Sequence, residues 1–565
     1  MNKIGTLACI LLIAQLGAKA QFNRYIVQFS NKKGTAYSLS NPAAFLSQRA
    51  IERRIRQNIP IDSTDLPVSK DWLDSLRAIP GVTIINASKW LNQVCIQTTS
   101  ADAVNTINAF PFVKRTSGIA PRIGQPADTI NYKKLDPDIR PLPPSDSRIN
   151  QVHGITSLEY GNMFDQIHIH EGEFLHNLGF TGRGIHIAVL DAGFQHYLSN
   201  PVFDSLRLQN RVLGEWDFVD NEASVNEDHS HGALVLSVIA SNRPGMLVGS
   251  APHASYWLLR TEDVASEYPI EEQYWAVAAE FADSAGADMI SNSLGYDVFD
   301  NPAFNYSYAQ RDGNTAMITI AADMAAKKGM LVVSSAGNSG GANNDRKFVG
   351  VPADGDSVFT VGGIDVNGNI YASSSWGPNG ANRQKPNAVS VGAGTVIANT
   401  NGAAATGSGT SYSCPNLAGL MACLWQAFPE FTNMEIFEAV QQSADRYTSP
   451  DPRFGYGIPN FRKAYEQLAA IREIRKKDSL LANSWMKAYP VPARNDGFRL
   501  IFKAPASGQA TLRLINVVGQ VLETRKLDVS VGQMYFVNYR RALTRGVYYI
   551  RYEDGTNKHT LPIMR

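Results

Sequence analysis

Over residues 151–468 the chain alternates short, unbroken apolar runs with longer stretches of helical periodicity. Residues 184–190 (Gly-Ile-His-Ile-Ala-Val-Leu) and 330–336 (Met-Leu-Val-Val-Ser-Ser-Ala) are runs of the length and continuity of buried strands. Residues 234–240 and 417–422 continue as apolar helices. Buried strands alternating with helices predict an α/β unit on a mostly parallel sheet. Residues 21–118 read differently, as a small α+β unit. Strands are expected at 25–29, 82–85 and 93–96, helices at 42–56, 68–79 and 101–110, and a closing strand at 112–114. A helix at 461–480, charged on one face, ends the central unit. From 485 to 565 short strands (498–502, 511–515, 533–539, 547–552) are separated by glycine-containing turns, the pattern of a small all-β sandwich. Residues 119–150, rich in Pro and Asp, form the linker between the first two units.

Composition changes this picture only at the ends. A chain of 565 residues suits two or three domains, and 44% apolar residues suffice for real cores. The net charge of +1 provides no field for nucleic acid or an anionic lipid surface. Lys3, the apolar run 4–16 and Ala18-Lys19-Ala20 predict a secretory signal peptide over residues 1–20, cut before Gln21. That run is too short to span a membrane, and no later stretch is long enough. Cys9 lies inside it, leaving Cys95, Cys414 and Cys423. The last two sit on one helix, roughly 13 Å apart at 1.5 Å per residue, too far to bridge. No disulfide framework is expected.

The chemistry lies at the ends of these elements. The first buried run ends at Asp191, followed by Ala192-Gly193; a carboxylate at the C-terminal end of a parallel strand lies where open α/β sheets build their sites. Asp228-His229-Ser230-His231-Gly232-Ala233 opens the first apolar helix. Gly337-Asn338 closes the second run, and Gly409-Thr410-Ser411-Tyr412-Ser413-Cys414-Pro415 enters the second helix. Taken singly, the acid and the amide are turn formers, His231 a hydrogen-bonded structural histidine and Ser411 a helix cap. Taken together, an acid, a base, an amide donor and a serine at a helix N-terminus are the parts needed for acyl transfer through an activated serine.

At these residues the chain resembles the subtilisin-like serine peptidases, the subtilases, whose chain order is also Asp, His, Ser. The likeness is carried by 188–193 around Asp191, by His231-Gly232, by Ser335-Ala336-Gly337-Asn338 and by Gly409-Thr410-Ser411 with Pro415. Ser293-Leu294-Gly295, Ser375-Trp376-Gly377-Pro378 and Lys385-Pro386 fall in order between them. The chain departs from the family at Ala192, Ala233 and Tyr412-Ser413-Cys414, where no reacting group is lost. The resemblance implies a subtilisin-like three-layer α/β domain over 151–480, with catalytic Asp191, His231 and Ser411 and an oxyanion hole at Asn338. It implies substrate binding by Ser293, Leu294, Gly295, Ser335, Ala336, Gly337 and Gly350. A glycine at 350, at the base of the implied S1 pocket, favours large apolar P1 side chains. Against that, Glu262, Asp263, Glu267, Glu271 and Glu272 cluster in sequence near the presumed substrate strand, either to attract basic residues or as a solvated helix face.

Resemblance also colours the flanking units. Residues 21–118 look like a subtilase propeptide, a ferredoxin-like inhibitor and folding aid, with a permanent binding domain as the alternative. Residues 485–565 resemble the C-terminal sorting domain of type IX secretion cargo in Bacteroidetes, with a carbohydrate- or protein-binding sandwich as the alternative. That likeness rests on Tyr489-Pro490-Val491-Pro492, the turn 516–520 and Arg545-Gly546-Val547-Tyr548. The expected protein is a secreted or surface endopeptidase of a Gram-negative bacterium, exported through the periplasm. Its partners are protein substrates, its own propeptide and the secretion machinery, not nucleic acid. No cofactor is required for the chemistry; the acidic loop 217–228 has the composition to hold structural Ca²⁺, though no ligand spacing assigns a site. Two other classes stay open: a zinc enzyme using His168, His170, His176 or the His229/His231 pair, which lacks a His-Glu-x-x-His helix, and an inactive adhesin on the same scaffold.

Overall fold

The computed structural model describes residues 22–121, 135, 139–142, 157–481, 484–494 and 497–565. The expected signal peptide and most of the expected linker lie outside the described residues. Chain compactness gives two units, one running through Tyr465 and one from Glu466 to Arg565, so the division falls within the helix Phe461–Leu480.

The first unit opens with strand β1 (Phe22–Phe29), helices α1 (Gln48–Arg56) and α2 (Lys70–Arg77), strands β2 (Thr83–Ser88) and β3 (Gln93–Gln97), helix α3 (Ala101–Asn108) and strand β4 (Val113–Pro121). These strands form one antiparallel sheet in the order β2-β3-β1-β4. The helix expected at 42–56 is broken: a short turn of helix at Pro42–Ala44 precedes α1, which Ser47 caps by accepting from Ala50 N at 3.2 Å. Both faces of this sheet are covered. Tyr25, Val27, Phe29, Val94 and Ile96 pack with Leu76 and Ile107 of its own helices. Ile26, Cys95, Ile119 and Ala120 on the other face join the core of the next part of the chain.

That part is built on strands β5 (His186–Asp191), β6 (Val212–Asp217), β7 (Ser255–Arg260), β8 (Met289–Asn292), β9 (Leu331–Ser335), β10 (Val358–Ile364) and β11 (Ala388–Val391). They form a single parallel sheet in the order β11-β10-β9-β8-β5-β7-β6. From β5 the chain passes to one side of the sheet, to β6 and then β7, and from β8 it steps outward on the other, so the gap between β5 and β8 is the switch point at which open α/β sheets form a crevice. Ala188, Leu190, Ile290 and Val332 pack against helices α5 (Ile270–Ala285) and α6 (Met317–Lys327). On the other face run α4 (His231–Ala240) and α7 (Thr410–Ala427). All of α4 is buried, and Gln426 alone in α7 is not, as expected of helices without a polar face. The result is a three-layer α/β architecture, with the antiparallel α+β sheet on the α5–α6 side.

The second unit holds two antiparallel sheets. Met486–Arg494, Gly497–Lys503 and Met534–Tyr539 form one, and Gly508–Asn516, Val521–Val529, Val547–Glu553 and Lys558–Met564 the other. Alternating residues such as Tyr548, Ile550 and Tyr552 share one core with Phe498, Leu500 and Phe502 of the first sheet. Cys95, Cys414 and Cys423 are free and buried. Among the described residues no helix is long and apolar enough to cross a membrane.

Candidate active site

Asp191 ends β5 at the switch point and is fully buried. Its Oδ1 accepts from Ala192 N at 2.8 Å and from His231 Nδ1 at 2.7 Å. His231 is the first residue of α4, with its backbone N–H bonded to His229 Nδ1 at 3.1 Å. The helix comes this close because residue 232 is glycine: a Cβ there would stand 2.5 Å from Gly193 O and 2.9 Å from Asp191 Cβ. The buried carboxylate thus holds the imidazole by one ring nitrogen, which sets the orientation of the ring.

Ser411 is the second residue of α7, so its N–H is one of the helix's orphan donors, at the positive end of the helix dipole. Its Oγ donates a long bond of 3.4 Å to Ser293 O, while Ser293 Oγ donates to Ser411 O at 2.9 Å. The rings of His231 and Tyr412, the residue after Ser411, lie 6.5 Å apart between centroids. Asn338 follows β9 and is exposed. Its Oδ1 accepts from Thr410 N at 2.8 Å and Thr410 Oγ1 at 3.1 Å, which turns the Nδ2 donor outward beside Ser411. Thr410 Oγ1 also accepts from Gly337 N at 3.1 Å, and Gly337 takes φ +102°, a conformation that favours glycine. The linear motif does not reveal what Thr410 and Tyr412 touch, because Asn338 and Gly337 follow β9 and His231 opens α4, both distant in the chain.

The remaining candidates follow strands β8 and β9. Ser293, Leu294 and Gly295 leave β8, braced by Asn292, whose Nδ2 donates to Leu294 O at 2.8 Å and Ser334 Oγ at 2.9 Å. Ser335 ends β9, and Ala336 packs with Val349 and Ala353. Tyr296 and Val351 exchange backbone hydrogen bonds of 2.9 and 3.1 Å, which brings Gly295 and Gly350 together. Ser413 and Cys414 point into the core. Burial pushes the Cys414 thiol up to about 12, so it is not a second nucleophile.

The acidic run resolves differently from either expectation. Glu262, Glu267, Glu271 and Glu272 are all buried. Glu262 accepts from Tyr296 Oη at 2.6 Å, and Glu271 from Asp263 N and Tyr268 N at 3.0 Å each. Glu262 and Glu271 thus brace loops, and none of the four side chains is presented to solvent. In the acidic loop, Arg260 Nη1 lies 2.5, 2.6 and 3.1 Å from carboxylate oxygens of Asp217, Asp220 and Asp228, so one cation of the chain offsets part of that charge. The other histidines are scattered over separate partners. His168 pairs with Glu173 at 2.7 Å; His170 bonds Pro459 O at 3.0 Å and Ser390 Oγ at 2.8 Å; His176 bonds Tyr160 Oη at 2.5 Å and Ser250 O at 3.0 Å. Burial pushes His170 and His176 down to about 4, as neutral structural residues.

Residues 182–457 match the model of the subtilase family, and residues 24–133 match that of the peptidase S8 propeptide domain of Bacteroidota. Subtilisin E of Bacillus subtilis (strain 168) is 30% identical over 295 residues, 51% of this chain and 68% of that protein. The subtilisin of Bacillus pumilus is 30% identical over 295 residues, 94% of its length. The thermostable alkaline protease of Halalkalibacterium halodurans is 28% identical over 294 residues, 70% of its length.

Proposed function

The chain belongs to the subtilase family of serine endopeptidases, with a propeptide of the Bacteroidota type, and on that premise we propose that its catalysis runs through Asp191, His231 and Ser411. The observation that carries the assignment is the buried 2.7 Å bond from His231 Nδ1 to Asp191 Oδ1 at the switch point where α7 brings in Ser411. His231 Nε2 takes the Ser411 Oγ proton as Oγ attacks the scissile carbonyl carbon. Asp191 stabilises the imidazolium without taking its proton. The oxyanion of the tetrahedral intermediate is held by Asn338 Nδ2 and the Ser411 N–H, donors already in place before substrate binds. Collapse expels the amine with the proton from His231. Water, activated by the same imidazole, then hydrolyses the acyl-enzyme. Subtilases use no cofactor for this chemistry. A serine-directed phosphonate is expected to inactivate the mature enzyme and to leave its mass on Ser411; an adduct on another residue, or no inactivation, contradicts the assignment.

The finer reading concerns specificity and export. Ser293, Leu294 and Gly295 pair with the substrate strand on one side, and Ser335, Ala336 and Gly337 wall the S1 pocket on the other. Small residues at 336 and 350 favour a large apolar P1 side chain, and the burial of the glutamates at 262, 267 and 271 removes the main attraction for a basic one. A peptide-library profile dominated by Arg or Lys at P1 would overturn this. Residues 1–20 act as the signal peptide and residues 485–565 as a type IX sorting domain, so that deleting 485–565 strands the enzyme in the periplasm; unchanged export refutes the sorting role. Structural Ca²⁺ would show as a melting temperature that rises with the free ion.

A further inference from the structure

Two buried polar atoms at the proposed catalytic pair have no partner among the described residues: Oδ2 of Asp191 itself and the hydroxyl of Tyr412, whose ring neighbours that of His231 and which feels the Asp191 charge. Both side chains are shut off from solvent, Asp191 at 0% and Tyr412 at 1% exposure. The other oxygen, Oδ1, is already engaged by His231 Nδ1 at 2.7 Å and Ala192 N at 2.8 Å. A carboxylate oxygen can only accept, and a phenol can donate, so the two orphans are chemically complementary. Buried groups of this kind in a native protein are met by a partner or an ordered water.

The position of the phenol is set by packing. Its ring lies 6.5 Å from that of His231, tilted by 35°, and covers Gly407, where a Cβ would stand 2.7 Å from Tyr412 Cε2. Burial first, and then the negative charge of Asp191, hold the phenol well above its usual range, so it remains a donor at any working pH. Ala192 and Ala233, the nearest departures from the family pattern in sequence, carry no hydroxyl to satisfy the same oxygen.

We propose that Tyr412 is a positioning residue for the catalytic pair: its hydroxyl donates to one buried water, and that water donates to Asp191 Oδ2. The bridge fixes the carboxylate plane, and thereby the aim of Oδ1 at His231 Nδ1. It rests on the assignment of Asp191 and His231 made above. Two measurements test it. A crystal structure of the full chain carrying Ser411→Ala is expected to show a water within hydrogen-bonding distance of both Tyr412 Oη and Asp191 Oδ2. An empty gap, or other partners for both atoms, overturns the proposal. In solution, Tyr412→Phe is expected to lower kcat about tenfold with KM unchanged, the signature of lost transition-state support rather than lost binding. Unchanged kcat, or a loss confined to KM, overturns it. If Tyr412→Phe is fully active while Ser411→Ala is inert, this inference falls and the triad stands. If Ser411→Ala keeps its activity, the triad reading itself falls.

Discussion

Asn338 is exposed, yet its carboxamide is not free to turn, because Thr410 donates twice to Oδ1. That orientation is the one the proposed oxyanion hole requires of Nδ2. Asn338→Ala is expected to lower kcat by about 10²–10³ with little change in KM, a magnitude carried over from subtilisin itself. Steady-state kinetics on a peptide substrate checks it, and a loss of only a few-fold would remove Asn338 from the oxyanion hole. At this scale the sequence is informative where chemistry sits at the end of an apolar run. Asp191 and Asn338 each do, and His231 and Ser411 open helices that run on as apolar stretches. It is silent where meaning depends on a distant partner. Thr410 looks like part of a serine motif, and its grip on Asn338 appears only when β9 and α7 meet. Ser293 Oγ likewise bonds the carbonyl of Ser411, which no spacing announces.

The elements that carry the site are those most readily read from patterning. The unbroken apolar runs became β5 and β9, and the helices without polar stripes became the buried α4 and α7. Charge runs are less legible, since a line of glutamates does not show what covers it. Glu272 on α5 is fully buried, accepting from Ile318 N of α6 at 3.0 Å and from Tyr306 Oη at 2.8 Å. Burial outweighs those hydrogen bonds and raises its carboxyl to about 7. The folded protein therefore holds this proton between the unfolded value of 4.5 and about 7, and Glu272 costs stability as pH rises through that window. Glu272→Gln keeps an acceptor and removes the ionisation. In denaturant titrations on the Ser411→Ala background, the variant is expected to gain on its parent by up to about 3 kcal/mol between those two pH values. A difference that does not vary with pH contradicts the assignment.

Across the first unit as a whole, the propeptide covers α5 with an ionic seam. Arg53 and Arg54 of α1 are buried on Asp283, and Arg54 Nη2 reaches Asp65 at 2.9 Å, which Lys328 Nζ contacts at 2.8 Å. Burial alone would raise the Asp283 carboxyl, but Arg53 and Arg54 hold it below the usual range. Glu280 accepts from Lys89 N and Trp90 N at 2.8 and 2.9 Å, tying the β2–β3 turn to the same helix. Removing one partner of a buried pair leaves an uncompensated charge, at a cost of about 3–5 kcal/mol. Arg53→Ala should therefore shorten the lag before activity appears in freshly folded full-length protein; an unchanged lag would mean that the seam does not govern release. Little of this is legible beforehand: α1 shows Arg49, Arg53, Arg54 and Arg56 in its sequence, but Asp283, the partner that Arg53 and Arg54 share, lies more than two hundred residues away.

The proposed mechanism and self-processing both depend on the Ser411 side chain. The most direct test compares purified full-length protein with its Ser411→Ala variant, reading casein turnover and the N-terminal residue together. The account predicts that the parent hydrolyses casein and begins downstream of residue 115, and that the variant is folded, inert and still joined to its upstream segment. A folded Ser411→Ala protein that turns over casein, or that loses the segment unaided, would contradict it.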